Sequence, residues 1–227
     1  MSDRVRMIVF ALGAVGMAVL FTGGFLRLPD FGGAFHPYGD RAVREALRQG
    51  TPNVVSSVNF DQRALDTVGE ELILFASALG AVVLLRAVGR EETEPGRRHG
   101  HGIAEVFDAL RLVGVVLLPI TLVTGVYVIA HGHLSPGGGF QGGVVLGTAI
   151  HLVYLSGDYP ALARLRPIPL FEVGEAVAAG TFVALALLAA GAVPALNVAV
   201  GIEVGCALVL LIAKFLDQAL LVREDAG

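Results

Sequence analysis

Few residues in this sequence are equipped for chemistry, and those few sit inside or beside long apolar runs. Glu70 and Glu71 open the run Leu72–Leu85, His151 lies within a second run, Glu172 and Glu175 in a third, and Glu203 in the last. A carboxylate can exchange a proton or offer a hard oxygen ligand to a cation. An imidazole can relay protons near neutral pH. Such groups are expensive in hydrocarbon, so each is a functional candidate by default.

Each candidate also has a structural reading. The apolar run after Glu71 has 14 residues, about 21 Å of helix. A hydrocarbon core is roughly 30 Å thick. The helix must therefore start earlier and carry both carboxylates into the boundary region. Asp66-Thr67-Val68-Gly69-Glu70 reads as that start, with Asp66 or Thr67 as cap and acids in the first turn. For Glu70 and Glu71, dipole complementarity thus competes with binding of a cation or proton.

Glu203 is the stronger anomaly, about 10 Å into its span. Gly201 and Gly205 flank it in a pattern that admits a close helix neighbour. Lys214 lies roughly 16 Å further along, too far for an ion pair within the helix, and is expected to snorkel to the membrane face. Glu203 is then either an ion-pathway group or a structural partner for a neighbouring subunit. His151 either relays protons or hydrogen-bonds between helices. Glu172 suits a first helical turn, and Glu175 lies deeper. Pro119 predicts a kink, with Thr121 and Thr124 placed to satisfy the freed backbone. Cys206, the single cysteine, allows no internal disulfide and reads as a small packing residue.

A second feature is backbone rather than side chain. The segment from His131 to Gly143 includes His133, Ser135, Pro136, Gly137, Gly138, Gly139, Gly142 and Gly143, set between two apolar runs. Non-helical backbone near membrane depth is tolerated only where protein or a cavity surrounds it. The segment lacks the Gly-Lys-Ser/Thr ending of a phosphate-binding loop. His99/His101 and His131/His133 are weak metal signals without further ligands. Ser135 has no evident base beside it. No catalytic residue, cofactor or metal site is expected.

These residues must be positioned by membrane helices. The 227-residue chain is 55% hydrophobic and only 16% charged, against roughly 25% charged in soluble domains. The expectation is an all-α, polytopic integral membrane protein. Its six approximate spans are Met7–Phe25, Val68–Leu85, Leu112–Ala130, Phe140–Ser156, Phe171–Val193 and Leu196–Phe215. The first reads as a retained span rather than a cleaved signal. A net charge of −4 argues against nucleic acid as a partner. Arginines 4, 6, 86, 90, 97, 98, 111, 164, 166 and 223 place both termini inside, with the first loop, rich in arginine, as the exception. That loop should hold a short amphipathic helix, Asp40–Gln49, capped by Asp40 and stopped by Gly50. The polar stretch 91–111 reads as a cytoplasmic linker between a two-helix part, 1–90, and a four-helix part, 112–227.

The run His131-Gly132-His133-Leu134-Ser135-Pro136-Gly137-Gly138-Gly139-Phe140-Gln141-Gly142-Gly143 resembles the hallmark of the B subunit of Mrp-type (Mnh) multi-subunit Na+/H+ antiporters. The resemblance covers roughly Leu112–Val222. Asn53-Val54-Val55 and the stretch from Asp61 through Asp66 to Glu70 resemble the C-terminal end of the large MrpA component, a module that stands alone in membrane-bound hydrogenases. Glu71 falls where that family more usually has an apolar residue. The resemblance implies a non-catalytic subunit of a cation/proton antiporter. Its partners would be large complex-I-like antiporter subunits, small membrane subunits, Na+ and H+, in a prokaryotic cytoplasmic membrane. The alternative it implies is the ion-translocating module of a redox-driven complex. The residues expected on an ion pathway are Glu70, foremost, with Asp66, Glu203, His151 and Glu175. The glycine segment is expected to serve close packing.

Overall fold

The computed structural model describes residues 3–28, 33, 36–88, 108–155, 167–189 and 191–225. The described residues form helices joined by turns and irregular segments, without a strand. Two compact units meet in sequence between Asp40 and Arg41. Most of the linker expected at 91–111 lies outside the described residues, and 108–111 already belong to a helix.

The first unit holds α1, Asp3–Phe25. It carries apolar side chains around its whole circumference, as a helix in lipid does. Helix α2, Pro37–Arg48, runs from this unit into the next. It begins at Pro37, so Asp40 lies in its first turn and is not the cap expected from the sequence. Proline suits a first helical position because its missing N–H is not needed there. Gly50, at φ +69°, ends the helical path as expected.

The second unit continues with α3, Val54–Ser57, and a five-residue π-helical stretch, Val58–Gln62. Neither was foreseen, because the pattern from Val54 to Gln62 is too short to show a period. Helix α4 follows at Ala64–Val88, then α5 at Asp108–Ala130, α6 at Gly139–Leu155, α7 at Ile168–Leu188 and α8 at Val193–Asp225. Because α4 starts at Ala64, neither Asp66 nor Thr67 caps it. Thr67 instead donates its hydroxyl to Asn59 O at 2.7 Å, tying α4 to the π-helical stretch, and Asp66 pairs with Arg63 at the surface. Gln62 binds the stretch to α2 by donating to Ala42 O at 3.1 Å.

Among the described residues, five helices are long and apolar enough to cross a membrane: those with segments Arg4–Phe25, Ala64–Leu85, Leu112–Ala130, Ile168–Leu188 and Val193–Leu216. The fourth of the expected spans is the short one. Its helix, α6, has 17 residues, because the chain stays irregular up to Gly138. Pro119 lies within an unbroken α5. Thr121 and Thr124 donate to Leu117 O and Ile120 O, each at 2.7 Å, and not to Val115 O, the carbonyl that proline deprives of its donor.

Helix α8 is the centre of the second unit, packed against α4, α5, α6, α7 and the π-helical stretch. Phe60, Phe182, Val193, Leu196 and Val200 meet in the apolar core where these elements converge. Phe60 and Phe182 pack edge to face, with ring centroids 6.0 Å apart.

Candidate functional site: a clasped glycine loop and a buried carboxylate cluster

The glycine loop closes α5 onto α6 through two asparagines from distant parts of the chain. Asn53 ends a turn before α3, where its side-chain oxygen accepts from Ser56 N at 3.4 Å. That leaves its amide nitrogen to reach the loop. It donates to Gly132 O at 2.7 Å, Ser135 O at 2.8 Å and, at the long limit, Gly137 O at 3.4 Å. Its backbone N–H also donates to His133 O at 3.2 Å. Asn197, wholly buried on α8, accepts from Gly139 N at 2.9 Å and donates to Ser56 Oγ at 3.0 Å and Val193 O at 2.9 Å. The irregular backbone thus finds the partners that a membrane cannot supply.

The glycines serve this arrangement by their lack of side chains. A Cβ on Gly139 would lie 2.5 Å from Asn197 O and 2.7 Å from Val200 Cβ. One on Gly143 would lie 2.8 Å from both Gly201 O and Val204 Cβ. Gly137 and Gly138 take φ of +114° and +146°, where an L side chain is strained. His131 stacks on Tyr127, centroids 4.1 Å apart, and Ser135 Oγ donates to His131 O at 3.3 Å. His133 keeps a buried Nδ1 without a partner. The geometry is one of close packing, with the loop carbonyls as receptors for Asn53.

The carboxylates divide differently from the sequence ranking. Asp66 and Glu70 are exposed on α4. Glu71 is buried, at 1% exposure. One residue turns a helix by about 100°, so Glu70 faces away from the stripe that α4 buries: Ala64, Thr67, Glu71, Ala78 and Val82. That stripe, repeating every three to four residues, was the overlooked signal. Its small residues at helical spacing mark the packed face and assign Glu71 to it.

Glu71 lies at hydrogen-bonding range of Glu203, which is fully buried on α8. Glu203 lies two residues from Gly201 and from Gly205, about 200° round the helix. It therefore faces α4 while the glycines face α5 and α6. Glu175, at 6% exposure on α7, is a neighbour of Glu203 and Glu172. No donor reaches either oxygen of Glu71 or Glu203, or Oε1 of Glu175. Two of the expected pathway residues, Glu203 and Glu175, are therefore brought together, with Glu71 as the third member. His151 is buried on α6, its Nδ1 2.6 Å from Gly147 O. Cys206 adjoins Glu175 and would touch a Cβ on Gly174 at 3.0 Å, as a small packing residue does. Among the described residues no three His, Cys, Asp or Glu side chains converge as metal ligands.

Outside the spans, Asp61 of the π-helical stretch is the one acid among the described residues whose environment shifts it clearly. Burial first, then the charge of Glu45, raise its carboxyl above the ordinary 3.8.

The helices, the clasped loop and the buried carboxylates define a multi-pass membrane protein built for close helix packing. Residues 109–210 match the family described as a domain related to the MnhB subunit of Na+/H+ antiporters. The matched residues include the glycine loop. A probable K(+)/H(+) antiporter A/B subunit of Rhizobium meliloti is 27% identical over 200 residues, covering 78% of this chain and 20% of that protein. A putative mnhB2 antiporter subunit of Staphylococcus haemolyticus is 37% identical over 75 residues, 32% of this chain and 53% of that one. The chain thus spans a fifth and about half of these relatives' lengths. Among solved structures, a chain of the membrane-bound sulfane sulfur reductase, an archaeal respiratory membrane complex, superposes with a TM-score of 0.66 at 26% identity. The match covers 93% of this chain and 98% of that one.

Proposed function

We propose that this chain is a subunit of a multi-subunit cation/proton antiporter, exchanging Na+ for H+ at the expense of the proton gradient. It is a transporter component without a catalytic centre of its own, and it contributes both to assembly and to the ion route. The observation that carries this reading is the MnhB-type domain, whose glycine loop is held by Asn53 from the front part of the same chain. Asn53 belongs to the stretch that resembles the end of the large MrpA component. The similarity to the Rhizobium A/B protein covers more of the chain than residues 109–210 alone, which supports a fusion of the two modules. The partners are then the large antiporter subunits and small membrane subunits of such a complex. The site is the cytoplasmic membrane of a prokaryote, with both termini inside as the arginine bias indicates. Asp66 and Glu70, exposed on α4, would face neighbouring subunits, whereas Glu203, Glu175 and His151 lie inside this chain.

One observation favours a second reading. The chain from the respiratory complex matches nearly the whole of this one. The same helices would then couple electron transfer to ion movement as the membrane module of a redox-driven complex. Composition of the purified complex separates the two: nickel-iron or iron–sulfur subunits in it decide for the second. Everted vesicles test the first. Deleting the chain should abolish Na+-dependent dissipation of ΔpH, and Glu70→Gln and Glu203→Gln should each reduce it. Full activity in both variants refutes a place for those carboxylates on the route.

A further inference from the structure

Glu71 and Glu203 pose a problem that the packing of this chain does not solve. Both are buried to within 1% of completely, on different helices, and all four of their oxygens lack a donor. Two bare carboxylates side by side away from water would cost many times what packing recovers, so something positive must lie between them. The ionisable groups nearest the pair are themselves acidic: Glu70, next in sequence to Glu71 on α4, and Glu175 on α7, which in turn adjoins Glu172 and Cys206. No lysine or arginine of the described residues forms an ion pair with either carboxylate. Among the described residues no third acidic, histidine or cysteine ligand closes on the pair, so a metal cation there would have to draw its remaining ligands from carbonyls or water. A proton needs only the two oxygens.

We infer that Glu71 and Glu203 hold one proton between them across the contact of α4 and α8, and that this pair with Glu175 forms a proton-transfer step inside the chain. The O–H bond on one carboxyl breaks as that on the other forms, so the pair keeps one negative charge throughout. Glu175, the next neighbour of Glu203 on α7, accepts the proton when the pair receives another. This step assigns the chain a share of the proton route rather than of the metal-cation route. Its transport half rests on the antiporter reading above; the shared proton does not.

Infrared spectroscopy of the purified complex at neutral pH, in H2O and D2O, tests it directly. The native complex should show a protonated-carboxyl C=O band that shifts in D2O. The band should shift or vanish in Glu71→Gln and in Glu203→Gln, and the double variant should lack it. Should the Gln variants fail to assemble, Glu71→Asp, which keeps the carboxyl but draws it back, must displace the band. Transport gives the second arm. Each Gln variant should slow proton-coupled flux at least about tenfold. The double variant should be no worse than the slower single, since the pair acts as a unit. The apparent KM for Na+ should stay unchanged. A native complex without the band, a double variant that retains it, or variants that raise the KM for Na+ at unchanged kcat would overturn the inference. A native complex that does not exchange cations would sink the antiporter reading while leaving the infrared result to stand.

Discussion

Asn53→Ala should loosen the whole second unit, although Asn53 sits only in the short turn that caps α3. The substitution removes two well-formed bonds, to Gly132 O at 2.7 Å and Ser135 O at 2.8 Å, and a weak one to Gly137 O at 3.4 Å. It also removes the cap on α3, itself long at 3.4 Å. Each good bond contributes roughly 0.5–1.5 kcal/mol net. A weak cap adds about 0.5 kcal/mol. The expected loss is therefore about 1.5–3.5 kcal/mol, or roughly ten- to three-hundredfold in the folded-to-unfolded ratio at 1.4 kcal/mol per decade. Cys206, the single thiol of the chain and partly buried on α8, is a ready reporter. Its rate of alkylation in a denaturing-detergent titration should rise at lower detergent in the variant. Ser135→Ala is the control. It removes only the hydroxyl bond to His131 O at 3.3 Å and leaves the carbonyl that Asn53 holds, so it should fall within about 0.5 kcal/mol of native. Asn53 and Asn197 are linked through Ser56, so a double-mutant cycle between them should show coupling above about 0.5 kcal/mol. Should Asn53→Ala be no less stable than Ser135→Ala, the clasp does not hold the loop, and the reasoning that joins front and back parts fails.

Gly139→Ala and Gly143→Ala should each cost about 1–3 kcal/mol, because the added methyl meets backbone and Val side chains of α8 that cannot give way. Gly180→Ala, with open space around it, should be neutral or stabilising by up to about 1 kcal/mol in the same thiol assay. Gly137→Ala carries a further penalty, backbone strain at φ +114° of about 1–3 kcal/mol, on top of a methyl placed 2.8 Å from Val128 Cγ1. Asp61 makes stability depend on pH. Its folded carboxyl is raised, first by burial and then by Glu45, so its contribution is full below the ordinary 3.8 and is lost as pH rises through the raised value. Asp61→Asn should remove that decline, and stability curves of the two proteins across the acid range should converge at low pH and separate above it.

The sequence by itself determined the class of this protein. Runs of about 20 apolar residues can satisfy their backbone in lipid only as helices, so the all-α membrane fold followed from composition and length. The glycine segment pointed to close packing because Gly is the residue that lets backbones touch, and it lies within the residues that match the MnhB-related family. Glu203 and Glu175 stood out because a carboxylate inside an apolar run needs an explanation. Tertiary structure decided which partners supply it. Glu70 and Glu71 are adjacent and chemically identical, and only the rotation of α4 against α8 buries one and exposes the other. Asn53 lies 79 residues before the Gly132 carbonyl it holds, and Asn197 lies 58 after the Gly139 amide it accepts. Such contacts leave no period in a sequence, since they depend on where separate helices cross and not on the spacing within any one of them.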